Sequence, residues 1–207
     1  MNGVVTGDIT NFTSIRVDGK EDLITQTSSL IKSWVNRPEY AEIFRGDSFQ
    51  LLFDDVSTTL YKSIQIRCWL KQHTEDQRTP LDARISIGFG KVDYLGTSVL
   101  DADGEAFHLS GRAFDEMKST RQYFQVSTNN QVLNEQLKII LSLANIIISQ
   151  WTKNQAEVIF LLLNGKTQQE MADELKIAQS AVNNRIKLAR WKEIDKTIRY
   201  IASLIQG

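Results

Sequence analysis

Residues 167–187 read TQQEMADELKIAQSAVNNRIK, a pattern that fits two short helices crossing at a tight turn. Thr167 and Glu170 have the spacing of a capping box, which predicts where the first helix begins. The turn is expected at residues 176–178. The apolar positions that would face inward are Met171, Ala172, Leu175, Val182 and Ile186. The segment therefore predicts a helix-turn-helix.

The outward face of the second predicted helix is polar. Its side chains are Gln179, Ser180, Asn183, Asn184 and Lys187. Gln and Asn side chains can pair with adenine edges in the major groove, and Lys can contact phosphates. These five residues are the candidate DNA-binding residues, with double-stranded DNA as the expected partner. The alternative is a pair of amphipathic helices in a bundle that binds no nucleic acid.

The run that starts at Gln179 resembles the recognition helices of helix-turn-helix repressors of the Cro type. On its N-terminal side, Thr152 and Gln155 repeat the capping-box spacing, and Gly165 is placed to end that helix. A final amphipathic helix is expected from Trp191 onward. Residues 151–207 together look like a compact four-helix unit, similar to the effector domains of LuxR-type regulators and to sigma-factor region four.

Composition and charge set broad limits on the chain. With 207 residues and 42% apolar residues, it can supply cores for two small domains. It lacks an uninterrupted apolar run of about 18 residues, and its single Cys68 cannot form an internal disulfide. We therefore expect a cytoplasmic protein without a membrane partner.

Charge is distributed unequally between the two parts of the chain. Residues 151–207 contain nine Lys and Arg against six Asp and Glu, a net charge of +3, whereas residues 1–150 carry −4. This asymmetry favours a DNA-facing module at the C-terminal end.

The first half of the chain alternates strand and helix patterns. The expected elements are a strand from residue 4 that ends in a polar turn, a helix over 20–36, strands over 41–45 and 48–53, a helix around 60–68, a strand over 83–90, a helix over 105–118 and a strand over 123–127. This order predicts an α+β fold with a ferredoxin-like sheet, joined to an all-α helix-turn-helix domain. The expected boundaries are 1–128 for the sheet domain, 129–150 for a connecting helix and 151–207 for the C-terminal domain.

Asp8 and Asp47 are the residues of the sheet domain that most clearly indicate a chemical role. Asp8 is expected at a strand end and Asp47 at a hairpin turn, and this topology would bring the two side by side. Mg²⁺ prefers hard oxygen ligands and is often completed by water and substrate phosphates. Two adjacent carboxylates therefore indicate a candidate Mg²⁺ site.

Three segments resemble the class III nucleotidyl cyclase catalytic domain and, more closely, its small bacterial relatives in the SatD family. They are GDITNFT at 7–13, GDSFQLLF at 46–53 and RISIGFG at 84–90. The resemblance implies a cyclase-like fold in which Asp8 and Asp47 are the metal ligands. Residues 101–112 resemble the cyclase segment that reads the base, orients the ribose and stabilises the transition state.

That last resemblance implies a nucleotide-binding set. Asp101 matches the base-reading Asp, Arg112 matches the catalytic transition-state Arg, and His108 stands where cyclases have an Asn. The basic residue that cyclases place before the second metal Asp is also not evident in residues 41–44. Both departures argue against cyclase activity but leave a nucleotide site open.

The predicted helix over 130–150 has an apolar stripe near heptad spacing. Its members are Leu133, Leu137, Ile140, Leu141, Ala144, Ile147 and Ile148. The stripe fits either a connector or dimer seam, or a helix packed on the sheet of its own subunit. A homodimer is expected, because helix-turn-helix proteins usually read two half-sites and the cyclase resemblance implies a site shared between subunits.

The leading hypothesis is a DNA-binding transcriptional regulator with a degenerate cyclase-like domain that senses a nucleotide with Mg²⁺. A second hypothesis is an active Mg²⁺-dependent nucleotidyl cyclase or nucleotidyltransferase, in which Asp8 and Asp47 hold the metal and Arg112 stabilises charge at the α-phosphate. A third is a protein-binding scaffold that uses the long helix.

Overall fold

The computed structural model describes residues 1–15, 17–76, 78–120 and 122–207, without the side chains of 17–18 and 118–120. Within these ranges the chain has a five-stranded sheet and eight α-helices, which confirms the predicted mixed α+β class. The strands are β1 (Asn2–Thr10), β2 (Ala41–Phe44), β3 (Ser48–Phe53), β4 (Asp82–Gly90) and β5 (Phe124–Ser127). The helices are α1 (Val17–Lys32), α2 (Val56–Gln72), α3 (Glu105–Thr120), α4 (Gln131–Ser149), α5 (Lys153–Leu163), α6 (Gln168–Leu175), α7 (Gln179–Leu188) and α8 (Trp191–Gln206).

The sheet has the strand order β2-β3-β1-β4-β5. Its pairs are antiparallel except for β4 and β5, which are parallel. The first six elements follow the order β-α-β-β-α-β, with β3 between β2 and β1, and β1 between β3 and β4. This is the split β-α-β arrangement. Because β1 is paired with β3 up to Asp8 and with β4 up to Thr10, Asp8 lies near the end of the strand, as expected, with two further strand residues after it.

The two faces of the sheet are covered by different helices. Val5 belongs to the large core cluster that includes α1 and α2, whereas Val4 packs on the opposite face with residues of α3. The helix α3 approaches β4 closely at Gly88, where an added Cβ would lie 2.1 Å from the carbonyl oxygen of Ala106. Glycine is therefore required at this position for α3 to pack.

The C-terminal helices pack on the sheet domain through α2. Trp69 of α2 lies against Phe160 of α5, with ring centroids 5.6 Å apart. Tyr61 of α2 donates a hydrogen bond to Asp195 of α8 at 2.6 Å. One buried apolar cluster continues from β1 through α2 to α8. The boundaries predicted near residues 128 and 150 are thus not accompanied by a break in the core, and the division into domains stays a prediction.

The helix α4 has two apolar faces. The inner face is formed by Leu137, Leu141, Ala144 and Ile148, which are buried within the same chain and form part of the stripe seen in the sequence. The outer face carries Val132, Ile139, Leu143 and Ile146, which are between 56% and 71% exposed. By length and apolar composition alone α4 could cross a membrane, but its inner face belongs to the core of a compact fold.

Candidate functional site

A cleft of about 550 Å³ opens at the C-terminal end of β1. Its walls come from β1 and the loop after it, the turn between β2 and β3, the start of β4 and the residue before β5. The lining residues are Asp8, Ile9, Thr10, Asn11, Phe12, Thr13, Asp47, Arg84 and Tyr123. The cleft contains the two candidate metal ligands together with one arginine.

The sheet register determines where the charged groups of the cleft lie. Asp8 is directly opposite Ser48 on β3 and opposite Arg84 on β4. Asp47 immediately precedes Ser48, and its carbonyl oxygen accepts a hydrogen bond from the backbone NH of Ile9 at 2.9 Å. The turn before it is tight because Gly46 adopts a φ of 90°. Asp8 and Asp47 therefore line the same cleft.

Asp8 is bound at both carboxylate oxygens by Arg84. Nε of Arg84 donates to Oδ1 at 2.9 Å, and Nη2 donates to Oδ2. The hydrogen bond with Asp8 raises the pKa of Arg84 above its ordinary value, burial opposes this rise, and the negative charge of Asp47 adds to it. Arg84 is thus a fixed positive charge. Together with the carboxylates of Asp8 and Asp47, it gives the cleft a formal charge of −1.

A Mg²⁺ ion held by Asp8 and Asp47 would have to share Asp8 with Arg84. Mg²⁺ requires oxygen ligands in near-octahedral geometry at about 2.0–2.1 Å. Both oxygens of Asp8 are already occupied by the Arg84 guanidinium. Across the described ranges, no group of three or more His, Cys, Asp or Glu side chains could hold a metal ion.

The loop after β1 is held in place by hydrogen bonds, and the last residue of β1 has one unsatisfied polar group. Asn11 adopts a left-handed conformation with φ of 60°, and its Nδ2 donates to the carbonyl oxygen of Pro80 at 2.8 Å. Ser14 Oγ donates to the carbonyl oxygen of Asn11 at 2.6 Å. The buried hydroxyl oxygen of Thr10 has no hydrogen-bond partner among the described residues.

The predicted nucleotide set is not assembled at this cleft within one chain. Asp101 ends a short 3-10 turn and accepts a hydrogen bond from Thr97 at 2.9 Å. His108 lies 3.1 Å from Asp103 on the surface. Arg112 lines a separate cavity of about 360 Å³ between α3, β5 and α4. None of these three residues is among those that line the Asp8 cleft in the part of the chain that the structure describes.

The candidate DNA-binding residues all lie on α7. The helices α6 and α7 are joined by residues 176–178, where Lys176 adopts a left-handed conformation with φ of 54°. Val182 turns inward and is fully buried. Gln179, Ser180, Asn184 and Lys187 are exposed, and Asn183 is half-buried. The structure thus places the five side chains on one short helix, with four of them facing solvent.

Local contacts fix the helices around α7. Thr167 and Glu170 form the complete capping box at the start of α6, with the backbone NH of Thr167 donating to Glu170 at 2.7 Å. A hydrogen bond from the backbone of Thr167 lowers the pKa of Glu170. Arg185 of α7 lies 3.6 Å from Glu157 of α5, which ties α7 to the neighbouring helix.

The sequence patterns did not predict two features of the structure, the pairing of Arg84 and the backbone of Lys176. Arg84 was recognised only as part of a strand motif, although an arginine near the start of an otherwise apolar strand signals a specific polar partner. Lys176 was expected in the turn, but its left-handed backbone was not. Glycine usually marks that conformation, and no glycine stands there.

The family model of the SatD family matches residues 5–196. The chain belongs to the SatD family. The match covers most of β1, the other four strands, the cleft, and all of α6 and α7. Among solved structures, the active GGEEF domain of a diguanylate cyclase from Vibrio cholerae is similar at 16% identity, over 63% of this chain and 83% of that chain. The TM-score of this match is 0.43. No curated protein matches this SatD family chain.

Proposed function

We propose that this SatD family protein is a DNA-binding transcriptional regulator that reads DNA with α7. One observation carries the proposal. The inner face of α7 is anchored by the fully buried Val182, while the polar residues on its outer face are exposed. A short helix held in this way, after a three-residue turn, can enter the major groove with its N-terminal residues toward the bases.

The side chains of α7 have chemistry suited to distinct roles in such a complex. Gln179, in the first turn, and Asn184 can pair with base edges. Lys187, in the last turn, can contact a phosphate. The net charge of +3 over residues 151–207 favours this half of the chain as the DNA-facing side.

We also propose a homodimer. Proteins that insert one short helix into the major groove commonly bind as two-fold dimers, with half-sites about 34–36 Å apart. The operator would then be a palindrome, and each α7 would read one half-site. A cytoplasmic location follows from this role, and the single free Cys68 is compatible with a reducing compartment.

The sheet domain is proposed to be a degenerate cyclase-like sensor. Its cleft, at about 550 Å³, falls within the usual range for small-molecule sites of about 300–1,000 Å³. The nucleotide is the expected ligand class, from the resemblance of the motifs at 7–13 and 46–53. An active cyclase is less well supported, because His108 stands where cyclases have an Asn and residues 41–44 lack the basic residue that cyclases place before the second metal Asp.

Selection of bound duplexes from a random DNA pool tests the proposal with the full chain. The wild-type protein should enrich a palindromic sequence. Gln179→Ala should relax the preference at one position of each half-site, because it removes a base contact worth about 1–3 kcal/mol. Gln206→Ala, the same change at an exposed position of α8, is the matched control and should leave the preference intact. A pool that shows no enrichment would reject the proposal.

A further inference from the structure

Arg84 lies in the cleft where a divalent cation would have to meet the carboxylates. It donates to both oxygens of Asp8, and the negative charge of Asp47 in the same cleft also raises its pKa. The side chain is only partly exposed, at 28%, and Asp8 is 15% exposed. The pair is therefore a largely shielded ion pair with bidentate geometry, which is the strongest arrangement that an arginine and a carboxylate can form.

The sheet imposes this contact. Asp8 and Arg84 are direct cross-strand partners, so their side chains leave the sheet on the same face about 4.5–5.5 Å apart at Cβ. The strands β1 and β4 pair from Asn2 opposite Gly90 to Thr10 opposite Asp82. A shift of one residue would turn every side chain of the strand to the wrong face. Arg84 consequently faces Asp8 whether or not the cleft is occupied.

We propose that Arg84 is the permanent counter-cation of the cleft and that it excludes Mg²⁺ and Mn²⁺ from Asp8 and Asp47. The guanidinium cannot lose its proton in proteins, so no change of pH within the folded range removes its charge. A divalent ion would have to displace two hydrogen bonds from Asp8 and then remain beside a like charge. Any ligand of this cleft is accordingly bound without a divalent metal.

The residues that line the cleft lie outside α7, so exclusion of Mg²⁺ does not depend on DNA binding by α7. The two carboxylates can either hold a metal ion or pair with a guanidinium. With a neutral residue at 84, Asp8 and Asp47 would present two open carboxylates of the kind that holds Mg²⁺. With Arg84, the same carboxylates orient a guanidinium toward the cleft. One residue on β4 thus decides between a metal site and a metal-free site.

Calorimetric titration of the full chain with MnCl₂ tests the proposal. The wild-type protein should show no saturable binding. Arg84→Gln should acquire saturable Mn²⁺ binding, because the like charge is removed and Asp8 is released. Arg84→Gln combined with Asp8→Asn should lose that gain. Circular dichroism of each variant establishes that the fold is retained.

Two results would overturn the proposal. The first is saturable Mn²⁺ binding by the wild-type chain that Asp47→Asn abolishes. The second is a folded Arg84→Gln variant that gains no Mn²⁺ affinity. If Arg84→Gln does not fold, the comparison of the wild-type chain with Asp47→Asn decides alone: binding in the former that is lost in the latter contradicts the proposal, and no binding in the wild-type chain supports it.

Discussion

Arg67 of α2 donates from Nε and Nη2 to the two carboxylate oxygens of Asp82 at the start of β4, both at 2.7 Å, and both residues are buried. Lys71 approaches the same carboxylate at 3.0 Å and donates to the carbonyl oxygen of Ser149 in α4. Arg67 also donates to Asn145 of α4 at 2.7 Å. One carboxylate therefore balances two buried cations at the junction of the sheet, α2 and α4.

Asp82→Asn should destabilise the protein by about 3–5 kcal/mol, because it leaves Arg67 and Lys71 buried without a counter-charge. Urea denaturation followed by circular dichroism measures the loss. Asp76→Asn is the matched control, since Asp76 pairs with Arg78 at an exposed site and should cost no more than about 1 kcal/mol. Equal losses for the two variants would contradict this role for Asp82.

The same residue predicts a pH dependence of stability. Burial alone would raise the pKa of Asp82, but Arg67 and Lys71 outweigh burial and hold the pKa below its ordinary value. The folded carboxyl thus binds its proton less readily than the unfolded one. Its contribution is complete above the unfolded pKa of about 3.9 and is lost as the pH falls through the folded pKa. The stability difference between wild type and Asp82→Asn should narrow as the pH of the urea titrations is lowered below about 4. A difference that is independent of pH would refute the assignment.

Lys176→Gly should stabilise the chain by about 0.5–1 kcal/mol. Lys176 ends α6 with φ of 54° and ψ of 45°, and a side chain with a Cβ is strained in this region. Urea denaturation without DNA measures the gain. Lys176→Ala is the control, because it keeps the Cβ and should show no comparable gain. Destabilisation by glycine would mean that the Lys176 side chain makes a contact that outweighs the backbone strain.

Local features of the fold were predictable from sequence because their causes lie within a few residues. The capping boxes at Thr152 with Gln155 and at Thr167 with Glu170 both form as the spacing indicates. The alternation of strands and helices likewise gave the mixed α+β class. In each case the signal and the structure occupy the same short segment.

Long-range pairings were not predictable in the same way. The contact between Asp8 and Arg84 depends on the register of two strands far apart in sequence, and register is decided by pairing of the whole sheet. The apolar stripe of α4 did not show whether it would pack within the chain or form a dimer seam, and in the structure its inner residues are buried within the chain. The buried position of Asp82 likewise follows from the packing of α2 and α4. No local motif indicates this packing.

The salt dependence of DNA affinity, measured by fluorescence anisotropy with the duplex selected from the random pool, tests the central claim most directly. The affinity of the wild-type chain should fall steeply with salt. Lys187→Ala should weaken binding to all sequences alike and reduce the slope of log K against log salt by about 0.9, as expected for one lost phosphate contact. Lys91→Ala, the same change at an exposed position beyond β4, should leave the slope unchanged. An affinity that does not depend on salt, or a slope that Lys187→Ala and Lys91→Ala change equally, would contradict DNA reading by α7.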